Sequence, residues 1–255
     1  MQVGRIKLLL ITLASLISVV ANAATVSTCT AQSGIQRATL LELYTSEGCD
    51  SCPPADRWLS NQKSSPVAGL VVPLAFHVDY WDNLGWKDPF GSPENTRRQH
   101  AQAGFSGAKF VYTPQFLRDG KDWRRSGNVL GDRRDAAASI DMELNHPKQG
   151  PWSVSAKVRT LLPNPAAEVW LAVYENNLES RVNAGENRGE TLRHDFVVRQ
   201  KYGPLPLAAD GSLSVNQSIK VADAWKRDDL GVAIVVQDAK TGDVLQAVSR
   251  LACRN

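Results

Sequence analysis

Residues 44–54 read YTSEGCDSCPP, which places Cys49 and Cys52 two residues apart and directly before two prolines. Proline has no N–H group, and it is tolerated in the first turn of a helix because that group has no partner there. The prolines therefore predict a short helix over residues 51–62. The preceding run RATLLELYT, residues 37–45, is apolar and rich in strand formers, which predicts a buried strand. The cysteine pair is thus expected at a strand-to-helix turn.

The first 23 residues are typical of a secretory signal peptide. Arg5 and Lys7 form a basic start, and residues 8–20 form an apolar run too short for a comfortable membrane span. Ala21-Asn22-Ala23 fits the cleavage pattern. We therefore expect cleavage near Ala23 and a periplasmic or secreted protein, in a compartment that permits disulfides.

The charge of the chain excludes some classes of partner. The formal net charge is +3 and falls to +1 once Arg5 and Lys7 are removed. Such a balance gives no reason to expect nucleic acid or anionic lipid as a partner. No apolar run after the signal peptide approaches the length of a spanning helix, so we expect no membrane span.

The chain has four cysteines, which allow three pairings. Cys49 and Cys52 are placed to pair locally. That leaves Cys29 and Cys253, near the two ends of the mature chain, and we expect a structural disulfide between them. This bridge closes a loop of more than two hundred residues, which the chain-entropy model values at roughly 5 kcal/mol.

Four more elements are predicted before residue 146. A strand is expected over residues 69–79, a helix over residues 92–103 with Ser92 as N-cap, and a strand hairpin over residues 113–124. A third helix is expected over residues 127–145, with an inner face formed by Val129, Leu130, Ala137, Ile140 and Leu144. The predicted order over residues 37–145 is β-α-β-α-β-β-α.

This order, with a cysteine pair at the first strand-to-helix turn, resembles the thioredoxin fold. LYTSEGCDSC is similar to the glutaredoxin pattern, and YTPQFLRDG is similar to the segment where thioredoxin-fold proteins carry a cis-proline facing the cysteines. TSEGCDSCPPAD, FHVDYWDNLGWKDPF, VYTPQ and GENRGETLRHDFVVR also resemble an exported bacterial thioredoxin-like family catalogued as a domain of unknown function. The resemblance implies an α/β thioredoxin-like domain over residues 24–146 and a cis bond between Thr113 and Pro114.

The pattern of residues changes after HPKQGP, residues 146–151, which resembles a linker. Residues 151–255 alternate short β-like runs with turn signals such as Ala209-Asp210-Gly211 and Thr241-Gly242-Asp243. This pattern predicts a small antiparallel β-sandwich domain. The expected fold class is therefore an α/β thioredoxin-like domain followed by a small antiparallel β-sandwich domain.

The cysteine pair favours thiol–disulfide exchange. A helix N-terminus stabilises a thiolate, so Cys49 is expected to be the exposed nucleophile and Cys52 the resolving thiol. The resemblance implies that Thr113 and Pro114 present backbone groups to the substrate. Asp50 places a negative charge beside Cys49, which disfavours the thiolate and favours a reductant or isomerase-like carrier over a strong oxidant.

Other polar residues are candidates for tuning the thiols. Glu42 is either a proton acceptor for Cys52 or a partly exposed or salt-bridged carboxylate. His77 and Asp79 lie at i, i+2 on a strand and so point to one face. There they could tune Cys49 or bind a ligand, or His77 could belong to a hydrogen-bonded network at the strand end. Two alternatives remain open: a non-catalytic binding or interaction protein that reuses the fold, and copper or zinc handling through the cysteine pair with His77.

Two further segments are expected near the thiols. One is an aromatic cluster that could form a wall beside them: Tyr80, Trp81, Trp86 and Phe90. The other is GENRGETLRHDFVVR, where His194-Asp195 could be an orienting pair and the segment is expected to pack the C-terminal part against the redox face. We expect a protein or a small thiol or disulfide as substrate, an unidentified redox partner, and no cofactor.

Overall fold

The computed structural model describes residues 26–65, 67–163 and 166–253 of the 255-residue chain. The predicted signal peptide over residues 1–23 lies outside these residues. The described part of the chain contains fourteen strands and two α-helices. In chain order they are β1 Val26–Gln32, β2 Thr39–Thr45, α1 Pro53–Ser60, β3 Val71–His77, α2 Pro93–Ser106, β4 Gln115–Arg118, β5 Lys121–Asp122, β6 Ala138–Pro147, β7 Trp152–Thr160, β8 Ala167–Glu175, β9 Leu178–Arg181, β10 Thr191–His194, β11 Val197–Pro206, β12 Ser212–Ile219, β13 Leu230–Asp238 and β14 Val244–Leu251.

The strands form three sheets. The largest has eight strands in the order β14-β13-β8-β11-β3-β2-β4-β5, the second has four in the order β1-β6-β7-β12, and β9 pairs with β10 in a separate hairpin. Two neighbours in the large sheet are parallel: β2 with β3, where Thr45 lies opposite His77, and β3 with β11, where Ala75 lies opposite Val197. The other pairs are antiparallel.

The predicted fold class, an α/β thioredoxin-like domain followed by a small β-sandwich domain, is wrong. The described chain is mostly β structure, and its two α-helices have only 8 and 14 residues. One continuous sheet takes β2 to β5 from the N-terminal half and β8, β11, β13 and β14 from the C-terminal half. The linker predicted near residues 146–151 is the turn between β6 and β7, which pair with each other in the four-stranded sheet.

The third helix predicted over residues 127–145 is also wrong, because most of its second half is strand β6. Ala138, Ile140, Met142 and Leu144 are buried, and the residues between them are exposed or half-buried. An apolar residue at every second position is the pattern of a half-buried strand. The alanine-rich run before Ile140 has high helix propensity, but the two-residue period of burial decides the conformation here.

Other local predictions are confirmed. The helix after the cysteines is α1, although it begins at Pro53 and not at residue 51. The next helix is α2, and the Ser92 side chain caps it by accepting a hydrogen bond from the Asn95 N–H. The strands of the 113–124 segment turn at Asp119 and Gly120, both with positive φ.

Two hydrophobic cores lie on opposite faces of the large sheet. Strand β8 shows the division, since Trp170, Ala172 and Tyr174 belong to the core around β2, β3 and α1. Its alternate residues, Val169 among them, face the four-stranded sheet in the second core. The second core is that of a β-sandwich, and one of its layers is the same sheet that carries β2 and β3. No helix in the described ranges is long and apolar enough to cross a membrane.

A disulfide joins Cys29 on β1 to Cys253, just after β14, and the two residues are 224 positions apart. This is the pairing expected from the sequence. Removing the bridge with a C29A/C253A double variant should lower the free energy of unfolding by roughly 5 kcal/mol, because the unfolded chain loses a very long closed loop. Urea unfolding measures the change.

The matched control is C49A/C52A, which opens a loop with a separation of 3 residues. The same chain-entropy model assigns that loop roughly 2 kcal/mol. An equal or smaller loss of stability in C29A/C253A than in the control would contradict the prediction.

Candidate functional site

The Cys49–Cys52 pair is disulfide-bonded and lies in the turn between β2 and α1. Both cysteines have a relative exposure of 0%. The sequence predicts an exposed Cys49 and a shielded Cys52, but the structure buries both. A thiol reagent or a substrate therefore has no direct approach to either sulfur in this conformation.

The backbone N–H groups at the start of α1 do not bond to the Cys49 sulfur. Pro53 and Pro54 have no N–H, and the N–H groups of Ala55 and Asp56 donate to the Cys52 carbonyl at 2.8 and 3.1 Å. The Cys52 N–H donates to the Cys49 carbonyl at 3.2 Å. In this disulfide form these amides therefore do not bond to the Cys49 sulfur, whose polar neighbour is the Ser51 hydroxyl at 3.4 Å.

The hairpin of β9 and β10, residues 178–194, covers the cysteine turn. In its loop, the side-chain amide of Asn187 donates to the carbonyls of Glu47 and Cys49, both at 2.9 Å. The Asp50 N–H donates to the Glu186 carboxylate at 3.1 Å. The segment GENRGETLRHDFVVR thus packs against the cysteine turn, as the sequence analysis expects.

Glu47, two residues after the end of β2, is the buried centre of these contacts. Its Oε2 accepts hydrogen bonds from Trp86 Nε1 at 2.9 Å and from Ser180 Oγ at 3.0 Å. Its Oε1 lies 3.0 Å from Nε2 of His194, at the end of β10. One carboxylate therefore joins the cysteine turn, the aromatic segment after β3 and the β9–β10 hairpin.

His77, the last residue of β3, forms a second buried imidazole–carboxylate pair. Its Nδ1 lies 2.7 Å from Asp88 Oδ2, and neither side chain is exposed. Burial alone would lower the pKa of His77, but the carboxylates of Asp88, Asp56 and Glu47 together outweigh burial and raise it. Burial would raise the pKa of Asp88, yet His77 and backbone N–H groups hold it below its usual value.

Asp56 lies beside His77 and His194 and forms a three-residue cluster with them. It lies in the first turn of α1, where its Oδ2 accepts a hydrogen bond from Thr45 Oγ1 at 3.0 Å, and its Oδ1 lies 3.9 Å from His194 Nδ1. The parallel register sets Thr45 opposite His77, so Asp56 reaches the same end of the sheet. Burial raises the pKa of the Asp56 carboxyl.

The predicted aromatic wall divides into two parts. The Phe90 ring packs against both histidines, with its centroid 5.4 Å from that of His77 and 5.6 Å from that of His194. Trp86 bonds to Glu47, as described above. Tyr80 instead donates to Gln99 Oε1 at 3.3 Å, away from the cysteines.

Thr113 and Pro114 are joined by a cis bond, as predicted. Thr113 Oγ1 accepts a hydrogen bond from Trp81 Nε1 at 2.8 Å. Trp81 in turn packs on Gly48, since a Cβ at Gly48 would lie 3.0 Å from the Trp81 Cβ. The Thr113 side chain is thus linked to the cysteine turn through one tryptophan.

Glu42 is the salt-bridged carboxylate of the two predicted alternatives. It has 0% exposure, and its Oε1 lies 2.6 Å from Arg98 on α2. Tyr44 also donates to it at 3.3 Å. The Arg98 guanidinium stacks 3.9 Å from the ring centroid of Trp170, so it links α2 to strand β8.

Two predicted partners point away from the cluster. Asp79 Oδ1 accepts a hydrogen bond from Thr96 on α2 at 2.5 Å and does not join His77. Asp195 bonds to Lys63 at 2.6 Å, so His194 and Asp195 are not an orienting pair. Asp50 is exposed, and its N–H bonds to Glu186 of the hairpin.

Sequence reasoning missed four residues of the site: Glu47, Asp56, Asp88 and Asn187. Asp56 gave the clearest signal, because it lies between Ala55 and Leu59 on the buried side of a short helix. Glu47 and Asp88 come from loops far apart in the sequence, and only the tertiary fold brings them to the two histidines.

Fold and site together define a mostly β protein with a covered disulfide beside a buried histidine–carboxylate cluster. The chain belongs to the family described as "Protein of unknown function (DUF1223)", whose profile matches residues 40–237. No curated protein matches the chain.

Solved structures of two bacterial proteins are similar in fold. A structural genomics target from Agrobacterium tumefaciens has a TM-score of 0.61 and 24% identity, over 85% of this chain and 95% of its own. HBP35 of Porphyromonas gingivalis has a TM-score of 0.61 and 17% identity, over 86% of this chain and 76% of its own. Identities this low show the fold alone.

The ion pair between Glu42 and Arg98 gives a direct test of the buried network. R98M keeps the length of the side chain but leaves Glu42 buried without its counter-charge, so stability should fall by about 3–5 kcal/mol. The control is R97M, which breaks the Arg97–Glu94 pair, whose side chains are 67% and 64% exposed. It should change stability by less than about 1 kcal/mol.

Urea unfolding followed by tryptophan fluorescence compares the two neighbouring variants. Similar losses of stability in R98M and R97M would contradict the prediction, because they would show that Glu42 does not need Arg98 as a buried counter-charge.

Proposed function

We propose that the protein is an exported thiol–disulfide carrier of reducing character, whose Cys49–Cys52 centre reacts only when the β9–β10 hairpin lifts. The observation that carries the proposal is the state of the backbone amides near Cys49. In the first turn of α1, the two prolines have no N–H, and the next two N–H groups already donate to the Cys52 carbonyl. A centre whose thiolate lacks such stabilisation has a disulfide that is hard to reduce, and its dithiol form is a good reductant.

Two carboxylates strengthen this reducing character. Asp50 is the direct neighbour of Cys49, and the Glu186 carboxylate accepts the Asp50 N–H at 3.1 Å. Both negative charges disfavour a developing negative charge on the Cys49 sulfur. Both side chains are exposed, so solvent and salt weaken their effect.

The exchange needs two electrons and two protons from an external dithiol, which reduces the Cys49–Cys52 bond. The Cys49 thiolate then attacks one sulfur of a substrate disulfide, and the first substrate thiolate leaves. Cys52 attacks the mixed disulfide, the second substrate thiol is released, and the Cys49–Cys52 disulfide forms again. The substrate is a protein or small-molecule disulfide.

A movement of the hairpin is compatible with the bonds that hold it. The loop of the β9–β10 hairpin meets the cysteine turn through the two Asn187 hydrogen bonds and the one to Glu186. The strands of the hairpin add the contacts of Ser180 and His194 with Glu47. Hydrogen bonds contribute about 0.5–1.5 kcal/mol each, so lifting the loop alone, with the contacts to Glu47 kept, costs far less than global unfolding.

A redox titration with glutathione tests the reducing character. The native centre should be well below the roughly −120 mV of a strong periplasmic oxidant. D50N and E186Q should each make it more oxidising, by up to about 30 mV, because each removes a charge worth at most about one pK unit at the sulfur. The control is E190Q, which neutralises another exposed carboxylate of the same hairpin loop.

A potential near that of a strong oxidant contradicts the proposal, as does a shift toward more reducing values in D50N. The alternative of a non-catalytic interaction protein makes its own prediction. In that case the disulfide resists excess dithiothreitol under native conditions and is reduced only when the whole chain unfolds, whereas a carrier is reduced by this strong dithiol while folded.

A further inference from the structure

We propose that Asp56, His77 and His194 form a binding site for one divalent transition-metal ion, with zinc as the best fit. One ligand atom from each of the three residues lies within 4.8 Å of the others. The three residues come from α1, β3 and β10, so the ion would join segments from both halves of the chain. This proposal does not depend on the redox chemistry of the cysteines.

His77 presents a free ring nitrogen to the cluster. Its Nδ1 is engaged by Asp88 at 2.7 Å, which fixes the ring orientation. Its Nε2 is buried and has no hydrogen-bond partner among the described residues. A buried polar atom left without a partner costs about 1–3 kcal/mol, and coordination to a metal would satisfy it.

His194 also has one ring nitrogen beside a carboxylate and the other without a partner, but the roles of Nδ1 and Nε2 are the reverse of those in His77. Glu47 engages Nε2 at 3.0 Å, and Nδ1 is buried without a hydrogen-bond partner in the described part of the chain. The two rings cross at 87° with their centroids 4.8 Å apart. Metal-binding histidines commonly donate their second N–H to a carboxylate, and both histidines here have that second partner.

Asp56 supplies the third ligand and the negative charge. Its Oδ1 lies 3.9 Å from His194 Nδ1, beyond hydrogen-bond range, while Thr45 orients the other oxygen at 3.0 Å. Two atoms bound to one tetrahedral zinc ion are about 3.3 Å apart, given bonds of about 2.0–2.1 Å. Small side-chain movements therefore bring the ligands to coordination distance.

The charge balance also favours a divalent cation. Asp56, Glu47 and Asp88 place three carboxylates around two imidazoles, all with little or no exposure. Buried charges are stable when they are paired or bind a metal. Two nitrogens and one carboxylate oxygen match the ligand set of zinc sites that keep one position for water, and oxygen-preferring magnesium or calcium fits less well.

This site differs from the metal site considered in the sequence analysis. That alternative used Cys49, Cys52 and His77, but here the two sulfurs are joined in a disulfide. His77 instead faces His194 and Asp56. The proposed ion is bound by nitrogen and oxygen while the cysteines remain oxidised.

Zinc titration of the full mature protein, stripped with chelator and kept oxidised, tests the proposal. Because the site is buried, zinc is also supplied during refolding from urea, and bound metal is measured by elemental analysis after gel filtration. We expect one zinc per chain. H77Q, H194Q and D56N should each weaken binding by tenfold or more, and D88N should weaken it about 10–100-fold through the orientation of His77.

The matched control is H100Q, which removes an exposed histidine outside the cluster and should bind zinc as the native protein does. A second measurement uses the native protein and so does not depend on whether the variants of the cluster fold. Ring-nitrogen NMR of the native protein should show zinc shifting two of its four histidines, with H100Q and H146Q identifying the two that do not shift. Cobalt(II) in place of zinc should give a visible spectrum without a thiolate charge-transfer band.

Three results would overturn the proposal. One is the absence of stoichiometric zinc in both the native and the refolded protein. Another is undiminished binding in folded H77Q and H194Q, or zinc-induced shifts confined to His100 and His146. The third is a thiolate band in the cobalt spectrum, which would place the metal on cysteine sulfur.

Discussion

The parallel contact between β3 and β11 is the interaction on which the rest of the structure depends. It joins the two halves of the eight-stranded sheet through the pair Ala75 and Val197, and the Ala75 N–H donates to the Phe196 carbonyl at 2.8 Å. Phe196 has a φ of 59°, a conformation that bulky residues rarely adopt, and the Asn176 side chain accepts its N–H. This turn places His194 beside His77, so the buried cluster exists only because the two halves share one sheet.

The disulfide and the histidine cluster share the turn between β2 and α1. Glu47 holds His194 with its side chain, and its carbonyl and that of Cys49 accept hydrogen bonds from Asn187 of the same hairpin. A hairpin that lifts to expose the cysteines must therefore pull on a proposed metal ligand. The two proposals together imply that a bound metal keeps the hairpin closed and opposes exchange at the disulfide, through a contiguous set of contacts.

Local sequence signals predicted local structure well. The prolines after Cys52, the serine before α2 and the Asp119-Gly120 turn each act within a few residues, so their outcome does not depend on the rest of the chain. The fold class failed where tertiary contacts decide, because most of the second half of the predicted third helix is strand β6 and both halves of the chain share one sheet. The site was only partly predictable for the same reason: Cys49 and His77 stand out by residue type, while Glu47 and Asp88 matter only through contacts made on folding.

The junction of the two halves brings His77, His194 and Asp56 together as the proposed metal site. The most direct measurement is anomalous diffraction at the zinc absorption edge from crystals of the oxidised protein grown with zinc. We expect one strong peak about 2.0–2.1 Å from His77 Nε2, His194 Nδ1 and an Asp56 oxygen. A peak on the cysteine sulfurs, or none at the cluster in a structure where both histidines are well ordered, would contradict it.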